Sequence, residues 1–177
     1  MIKTVFLDMD GIITDFNKAV CEKFDLPYPP QVYHFFPKIR SQVNDFCNEL
    51  FWQNLEWMDD GHDILRMVTK RFDTKNIYLL TKVMPNIESA SGKMMWIRDN
   101  LPIYLDRVII MTLGVPKSLL AQPDTLLIED CDKYVDGFRE AGGKALLVPR
   151  PWNRAHLQAN RTVEIVKEFL ERICQES

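Results

Sequence analysis

The chain has 177 residues, of which 46% are hydrophobic and 27% are charged, and its formal net charge is −3. These proportions are ordinary for a soluble globular protein of one domain with an insertion. The acidic balance provides no broad basic surface to neutralise a long nucleic acid, so a small phosphorylated partner fits the composition better.

The four cysteines are predicted to be reduced thiols, because Cys21, Cys47, Cys131 and Cys174 have no CxxC spacing and no partner histidines at zinc-finger intervals. No apolar run approaches the length that spans a membrane, and the N-terminus enters a strand too early for a signal peptide. We therefore expect a cytoplasmic protein without a membrane partner, and we leave a homodimer open.

The first predicted element is a buried strand, Val5 to Leu7, which stops at the acidic segment Asp8-Met9-Asp10-Gly11. Side chains alternate along an extended chain, so Asp8 and Asp10 should point to the same side, while Gly11 lets the backbone turn sharply. A hard cation such as Mg²⁺ would relieve the repulsion and leave one carboxylate free to attack an electrophile. A pair of acids capping a turn is the simpler alternative, and the preceding strand disfavours it.

The stretch DMDGIITDF, residues 8–16, resembles the first motif of the haloacid-dehalogenase (HAD)-like phosphohydrolases. Its closing Asp15-Phe16 is similar to the 5'(3')-deoxyribonucleotidases among them. The resemblance implies that Asp8 is the nucleophile, that Asp10 is the general acid and base, and that both hold Mg²⁺, Asp10 through its backbone carbonyl. An Asp at position 10 also favours a phosphatase over a dehalogenase, which has no alcohol to protonate.

About sixty residues before the second predicted strand look mainly helical, because apolar residues recur at helical spacing from Ile39 to Phe51 and from Ile64 to Phe72. This stretch is longer than an ordinary crossover between parallel strands. We therefore expect a helical cap, residues 16–75, inserted into a core domain of residues 1–15 and 76–177.

The predicted cap is rich in aromatic residues, and most of them should form its own core. Phe16 follows the acidic turn directly, so it and Trp52 are candidates to stack on a base, each stack being worth roughly 1–3 kcal/mol. The ten aromatic residues between positions 15 and 57 are Phe16, Phe24, Tyr28, Tyr33, Phe35, Phe36, Phe46, Phe51, Trp52 and Trp57.

The second predicted strand, Ile77 to Leu80, ends at Thr81-Lys82. The resemblance implies that Thr81 holds the phosphate, because the family's second motif places a Ser or Thr at a strand end. The deoxyribonucleotidases usually continue with a Ser, whereas here Lys82 follows and its ammonium would attract the substrate's charge.

A helix is predicted next, from Asn86 to Asn100, and then a third strand, from Arg107 to Met111. The predicted inner face of the helix comprises Ile87, Ala90, Met94, Ile97 and Leu101. Beyond the third strand, Pro116 can start a helical turn that carries Lys117. The resemblance implies a lysine here that neutralises the nucleophile and the transferred phosphoryl group, and Lys117 matches it best; an exposed loop lysine is the alternative.

A fourth predicted strand, Thr125 to Ile128, also ends in acids, Glu129-Asp130. Open parallel sheets bind ligands at the carboxyl ends of their strands, so these acids should lie near Asp8. The resemblance assigns Asp130 to Mg²⁺.

The resembled motif has a further acid four or five residues after the second of the paired acids, where this chain has Tyr134 and Val135. Asp132 and Asp136 are the nearby candidates, and the sequence does not choose between them. Asp132 is equally suited to cap the next helix.

A fifth predicted strand, Lys144 to Val148, leads into a loop in which Trp152 and Asn153 either contact substrate or pack, and a final amphipathic helix follows. We thus predict an α/β fold, a Rossmann-like, five-stranded parallel sheet covered on both faces, with right-handed crossovers.

The predicted function is that of a Mg²⁺-dependent phosphomonoesterase acting through an aspartyl-phosphate, most consistent with a 5'(3')-deoxyribonucleotidase that dephosphorylates nucleoside monophosphates. A phosphatase for another small metabolite, such as a sugar phosphate, is the alternative. A catalytically silent binding protein on the same fold is the alternative of a different class.

Overall fold

A computed structural model of the chain describes residues 1–30 and 39–175. The strands are β1 Thr4–Leu7, β2 Ile77–Val83, β3 Val108–Thr112, β4 Thr125–Glu129 and β5 Lys144–Leu147. The α-helices are α1 Phe16–Lys23, α2 Arg40–Phe46, α3 Glu49–Gln53, α4 Gly61–Thr69, α5 Ile87–Asn100, α6 Asp132–Glu140 and α7 Thr162–Gln175. Short 3₁₀ helices are Thr74–Asn76, Pro102–Tyr104, Lys117–Leu120 and His156–Arg161. Within the described ranges, no helix has the length and apolar character needed to cross a membrane.

The five strands form one parallel sheet in the order β3-β2-β1-β4-β5, which confirms the predicted fold class. The strand β1 is central, and its Val5 pairs with Ile77 of β2 on one side and with Leu126 of β4 on the other. Val5 and Leu7 on one face of β1 are fully buried, and Phe6 on the other face is 6% exposed, as expected for a parallel strand covered on both faces. Since β1 and β4 are parallel neighbours, the acidic residues that follow them meet at one edge of the sheet.

The strand ends differ slightly from the predicted ones because pairing sets them. The strand β2 continues to Val83, which pairs with Thr112 of β3, and β3 therefore runs one residue later than predicted. The strand β5 ends at Leu147, the partner of Glu129.

Helices α1 to α4 lie between β1 and β2, in line with the helical character predicted there. Val20, Trp52 and Ile64 of these helices belong to the same apolar cluster as Val5 of the sheet. The apolar run around residues 39–51 is split between α2 and α3 because the Asn48 side chain accepts a hydrogen bond from the Phe51 amide and starts a new helix.

The division into a core domain and a cap at residues 16–75 stays a prediction. Three of the aromatic residues assigned to the cap, Tyr33, Phe35 and Phe36, lie outside the described residues.

The inner face of α5 differs from the one that apolar spacing predicted. Ile87 is 85% exposed, whereas Lys93 and Trp96 are buried beside the correctly predicted Ile97. A side chain at Gly92 would lie 2.4 Å from a backbone oxygen of α3, so the two helices pack backbone to backbone on this face. The prediction for Ile87 was wrong because close helix packing and an inward-pointing lysine, rather than apolar spacing, orient the helix.

The four cysteines are free thiols, as predicted, and all except Cys174 are buried. Burial raises the pKa of the Cys131 thiol to about 12, so this residue stays protonated and unreactive at neutral pH although it follows Asp130 directly.

Candidate active site

A buried lysine lies between two carboxylates at the ends of β1 and β4. The Lys117 ammonium donates to Asp8 Oδ1 and to Glu129 Oε2, both at 2.6 Å, and to the Leu80 carbonyl at 3.1 Å. The Lys117 side chain is 1% exposed, and the Asp8 and Glu129 side chains are 9% and 0% exposed. We call Asp8, Lys117 and Glu129 the buried triad. As the sequence suggested, Pro116 precedes the helical turn that carries Lys117.

Asp130 lies beside the buried triad, and one of its carboxylate oxygens has no hydrogen-bond partner among the described residues. Its Oδ2 accepts a 2.6 Å hydrogen bond from the Trp152 indole, and its backbone carbonyl accepts one from the Asn153 amide at 2.8 Å. Its Oδ1 is buried and has no hydrogen-bond partner among the described residues. One oxygen each of Asp8, Glu129 and Asp130 lies within 4.8 Å of the others. This is an arrangement of hard oxygen donors that suits a small divalent cation.

Glu129 is the least available of these three acids. Its Oε2 accepts from Lys117, and its Oε1 accepts from the backbone amides of Asp130 and Cys131 at 3.2 and 3.1 Å. Glu129 therefore positions Lys117 and the turn after β4, and the carboxylates suited to a metal are those of Asp8 and Asp130.

The carboxyl groups in this cluster resist ionisation. Burial and the neighbouring Glu129 raise the pKa of Asp8 to about 8, although Lys117 opposes the shift. Burial raises the pKa of Glu129 and of Asp130 to about 7 each. Burial alone would lower the pKa of Lys117, but the two carboxylates reverse this and raise it. Lys117 therefore stays positively charged among three acids, and a further cation would stabilise the ionised forms of these acids.

Gly11 lets the chain turn away from the acids. Its φ of +79° lies in the region that glycine adopts most readily, and a Cβ there would lie 2.2 Å from Asp130 Oδ2. The Arg150 guanidinium donates to the Gly11 carbonyl at 2.6 Å and forms two hydrogen bonds, at 2.6 and 2.8 Å, with Asp60. The positive φ and the close approach of Asp130 require glycine at this position, and the Arg150 hydrogen bond to the Gly11 carbonyl holds the turn in place.

Asp10 faces a second buried lysine. Its Oδ1 accepts from the Thr14 hydroxyl at 3.0 Å, and its Oδ2 accepts from the Lys93 ammonium. Lys93 also donates to the Thr81 hydroxyl at 2.8 Å and lies 4.4 Å from the centre of the Trp52 ring. The Asp10 side chain is 27% exposed and the Lys93 side chain is 1% exposed, whereas the Asp8 side chain is 9% exposed, so Asp10 is more open to solvent than Asp8.

Lys82 points to a different place from Thr81. Its ammonium donates to the backbone carbonyls of Thr112 and Leu113, both at 3.1 Å, and of Val115. It thereby fixes the loop after β3, and these contacts do not support the predicted role of Lys82 in binding phosphate.

Asp132 and Asp136 form an exposed counterpart to the buried triad. Both pair with Arg154, Asp136 through two contacts of 2.5 and 2.6 Å and Asp132 at 3.3 Å. We call Asp132, Arg154 and Asp136 the exposed triad. The acids within 4.8 Å of one another do not include either residue, so the structure brings neither Asp132 nor Asp136 to the candidate metal site.

Phe16 and Trp52 lie against each other. Their rings are stacked, with centroids 5.2 Å apart and an interplanar angle of 6°. Trp52 is 2% exposed and its indole donates to the Cys47 carbonyl at 3.0 Å, whereas Phe16 is only partly buried. Of the two predicted base-binding residues, Phe16 is the one with surface left for a ligand.

Sequence reasoning missed Lys93 and Arg150 as parts of this site, and it placed Glu129 near Asp8 without assigning it a role. Glu129 had a detectable signal, since it ends a strand that is apolar from Leu126 to Ile128 and precedes the predicted metal ligand. Lys93 contacts Asp10, which lies 83 positions away along the chain, and Arg150 contacts Gly11, which lies 139 positions away. No local spacing therefore indicates their role.

The chain resembles HAD family proteins of known structure. A mutant form of a HAD family enzyme from Bacteroides thetaiotaomicron, solved with magnesium and inorganic phosphate, matches with a TM-score of 0.52 and 15% identity, over 89% of this chain and 99% of that one. The wild-type form of the same enzyme, also solved with magnesium and inorganic phosphate, matches with a TM-score of 0.48 and 13% identity, over 89% of this chain and 99% of that one. A HAD-superfamily hydrolase from Ehrlichia chaffeensis matches with a TM-score of 0.42 and 12% identity, over 94% of this chain and 99% of that one.

No protein-family model and no curated protein matches the chain. The first of the structural matches, together with the central position of β1 in a five-stranded parallel sheet, shows that the chain has the fold of the HAD-like enzymes.

Proposed function

We propose that this protein is a Mg²⁺-dependent phosphomonoesterase that works through an aspartyl-phosphate on Asp8. The observation that carries the proposal is the pairing of Asp8 with Lys117 beside Asp130 Oδ1, an oxygen without a hydrogen-bond partner among the described residues. A nucleophilic carboxylate, a fixed positive charge and a hard metal ligand are thereby combined at one strand edge. The similar enzyme from Bacteroides thetaiotaomicron was solved with magnesium and inorganic phosphate, which agrees with the proposal.

Asp8, Asp130 and the Asp10 backbone carbonyl would hold the Mg²⁺. The unpartnered Oδ1 of Asp130 and the raised pKa values of Asp8 and Asp130 fit this role, because a bound cation would favour their ionised forms. When bound, Mg²⁺ would orient the phosphoryl group and offset its charge.

In the first half-reaction, an Asp8 oxygen attacks phosphorus and the bond from phosphorus to the ester oxygen breaks. Asp10 donates its proton to the leaving alcohol oxygen. Lys117 and the Thr81 hydroxyl stabilise charge on the phosphoryl oxygens during the transfer.

In the second half-reaction, a water molecule attacks the phosphorus of the aspartyl-phosphate. Asp10, now ionised, accepts a proton from that water, the bond between Asp8 and phosphorus breaks, and inorganic phosphate leaves. One acid therefore serves both steps, and the covalent intermediate divides the hydrolysis into two easier reactions.

Nucleoside monophosphates are the proposed substrates, with Phe16 as the residue that contacts the base. Phe16 ends the first motif, begins α1 and is only partly buried. A stacking contact of this kind contributes about 1–3 kcal/mol to binding. This makes a 5'(3')-deoxyribonucleotidase the first candidate.

A small phosphorylated metabolite without a base, such as a sugar phosphate, is the second candidate. It is favoured by one observation: Trp52 is 2% exposed and stacks on Phe16, so these two rings do not form an open slot for a base.

The test is release of phosphate, with and without Mg²⁺, from deoxyribo- and ribonucleoside monophosphates and from sugar phosphates. Wild type is compared with Asp8→Asn, which keeps the size of the side chain and removes the nucleophile. We expect Mg²⁺-dependent release that Asp8→Asn abolishes. Reduction of the working enzyme with borohydride should convert the acyl phosphate at position 8 to homoserine, which mass spectrometry detects.

Phe16→Leu separates the two substrate classes. It should raise KM for nucleotides by about 10-fold, the equivalent of one lost stacking contact, and leave KM for sugar phosphates unchanged. The control is Phe46→Leu, which removes another of the ten aromatic rings between positions 15 and 57. Release from sugar phosphates alone would favour the second candidate, and absence of release from every compound would favour a silent binding protein.

A further inference from the structure

We propose that Lys93 is a positioning residue for the reaction, which holds the Asp10 carboxylate towards the leaving group and directs the Thr81 hydroxyl towards the phosphoryl oxygens. The inference rests on the proposed function and adds to it a residue outside the motifs recognised in the sequence. It assigns to α5 the positioning of two reacting groups.

The first support is how completely Asp10 is fixed. Its two carboxylate oxygens have different partners, the Thr14 hydroxyl on Oδ1 and the Lys93 ammonium on Oδ2. Because the two contacts approach opposite oxygens, rotation of the carboxylate about its bond to Cβ would break both. Proton transfer depends on such alignment of the acid with the leaving oxygen.

The second support is the direction of the hydrogen bond to Thr81. An ammonium has only donors, so the Thr81 oxygen accepts the 2.8 Å contact from Lys93. The Thr81 proton is then left for another acceptor, and its contact with the Lys82 carbonyl is long, at 3.4 Å. A phosphoryl oxygen is a stronger acceptor because it is charged. Lys93 therefore makes Thr81 a donor towards the substrate.

The third support is the cost of placing a lysine here. Lys93 is 1% exposed, and burying an ammonium is unfavourable unless its partners repay the lost hydration. Its partners are Asp10, Thr81 and the ring of Trp52. Two of the three belong to the proposed reaction, and the third, Trp52, screens the ammonium from water.

The test compares two substrates that differ in their need for an acid. An alkyl phosphate has a poor leaving group that Asp10 must protonate, whereas a nitrophenyl phosphate has a good leaving group that departs without a proton. Lys93→Met, which keeps the length of the side chain and removes its charge, should lower kcat/KM for the alkyl phosphate by about 100-fold, because kcat/KM reports the half-reaction in which the leaving group departs and excludes the later hydrolysis that both substrates share. The loss for the nitrophenyl phosphate should be about 10-fold or less, with the weaker phosphate contact of Thr81 as its cause.

Lys93 and Asp10 should also act as one unit. In an Asp10→Asn background, Lys93→Met should cause a further loss of only about 10-fold or less with the alkyl phosphate, because Thr81 still loses its partner but the acid that Lys93 positions is already gone. The double variant carries no unpaired buried charge, so it is expected to fold even where Lys93→Met alone is unstable. Lys133→Met, on the exposed side of α6, is the control and should match wild type.

Equal losses with both substrates, or a full additional loss in the Asp10→Asn background, would show that Lys93 has only a structural role and would overturn the inference while the proposed function stood. Failure of the wild type to hydrolyse either phosphate would overturn the proposed function and this inference together.

Discussion

The buried triad and the exposed triad are built alike, yet they differ in what surrounds them. Each has one cation between two carboxylates, Lys117 in the first and Arg154 in the second. The Lys117 side chain is 1% exposed and the Arg154 side chain is 48% exposed. Water can therefore hydrate the charged groups around Arg154 if a partner is lost. The charged groups around Lys117 are buried, so water cannot take the place of a lost partner there.

The pKa values reflect this difference. Burial raises the pKa of Asp8 to about 8, against the attraction of Lys117. At Asp136 the hydrogen bonds from Arg154 dominate and lower the pKa. The same pairing of charges therefore stabilises ionised acids at the surface and leaves buried ones short of positive charge, which is the condition that favours recruitment of a metal.

Removing the central cation should separate the two triads most clearly. We expect Lys117→Met to lower the free energy of unfolding at pH 8 by about 3–5 kcal/mol, because two buried acids lose their partner, and to abolish phosphate release. Arg154→Met should cost about 1 kcal/mol or less. Urea denaturation of both variants measures the difference. Equal costs would mean that burial does not distinguish the triads.

The glycines beside the two triads give the next largest contrast. Gly11→Ala should destabilise by about 2–4 kcal/mol, because its φ is +79° and its Cβ would meet Asp130 Oδ2 at 2.2 Å. Gly137→Ala in α6 meets no atom within 4 Å and should stabilise by about 0.5–1 kcal/mol, since alanine favours helix. Thermal unfolding measures both changes, and a destabilised Gly137→Ala would contradict the open space at that position.

The pH dependence of stability should follow the buried acids. The pKa values of Asp8, Glu129 and Asp130 in the folded chain are about 8, 7 and 7, and unfolded carboxyls titrate near roughly 4. The folded chain therefore binds more protons between these limits, and its stability should fall as pH rises from about 5.5 to 8. Without metal, we expect Tm to fall by on the order of 10 °C over this range.

Added Mg²⁺ should raise Tm more at pH 8 than at pH 5.5, because it binds the ionised carboxylates. Asp130→Asn should remove most of this increase, and Asp136→Asn should preserve it. An equal increase in all three proteins would place the metal elsewhere.

The smallest expected effect belongs to the exposed triad. Asp136→Asn should lower Tm by about 1–2 °C at low salt, since an exposed ion pair contributes little, and the difference should vanish at about 1 M salt, where surface charges are screened. Calorimetric scans at two salt concentrations measure it. A loss that persists at high salt would show that the pair of Asp136 with Arg154 is not a surface contact in solution.

Much of the fold was predictable from the sequence because local patterns encode it. The apolar runs of β1 and β4 each stop at acids, and parallel strands must bring such ends to one edge. That reasoning predicts that Asp8 and Asp130 lie close together. Lys117 was found with the help of Pro116 and of a family resemblance.

The rest of the site depends on contacts between distant parts of the chain. Lys93 lies at a helix position that spacing alone marks as ordinary, and only its approach to Asp10 explains its burial. Asp132 and Asp136 have the residue type of metal ligands and lie near the position where the resembled motif has a further acid, but Arg154 binds both. Charge partners supplied by remote segments thus decided which acids belong to the site.

The central place of β1 has a consequence for how the chain folds. Its partners begin at Ile77 and Thr125, so the strand that carries the nucleophile can pair only after large loops have closed, and such non-local pairing slows folding. During synthesis from the N-terminus, β1 must wait until β4 has emerged before it has neighbours on both sides. We therefore expect the buried charges around Asp8 to assemble in the last cooperative step, so that a partly folded chain would lack the chemistry altogether.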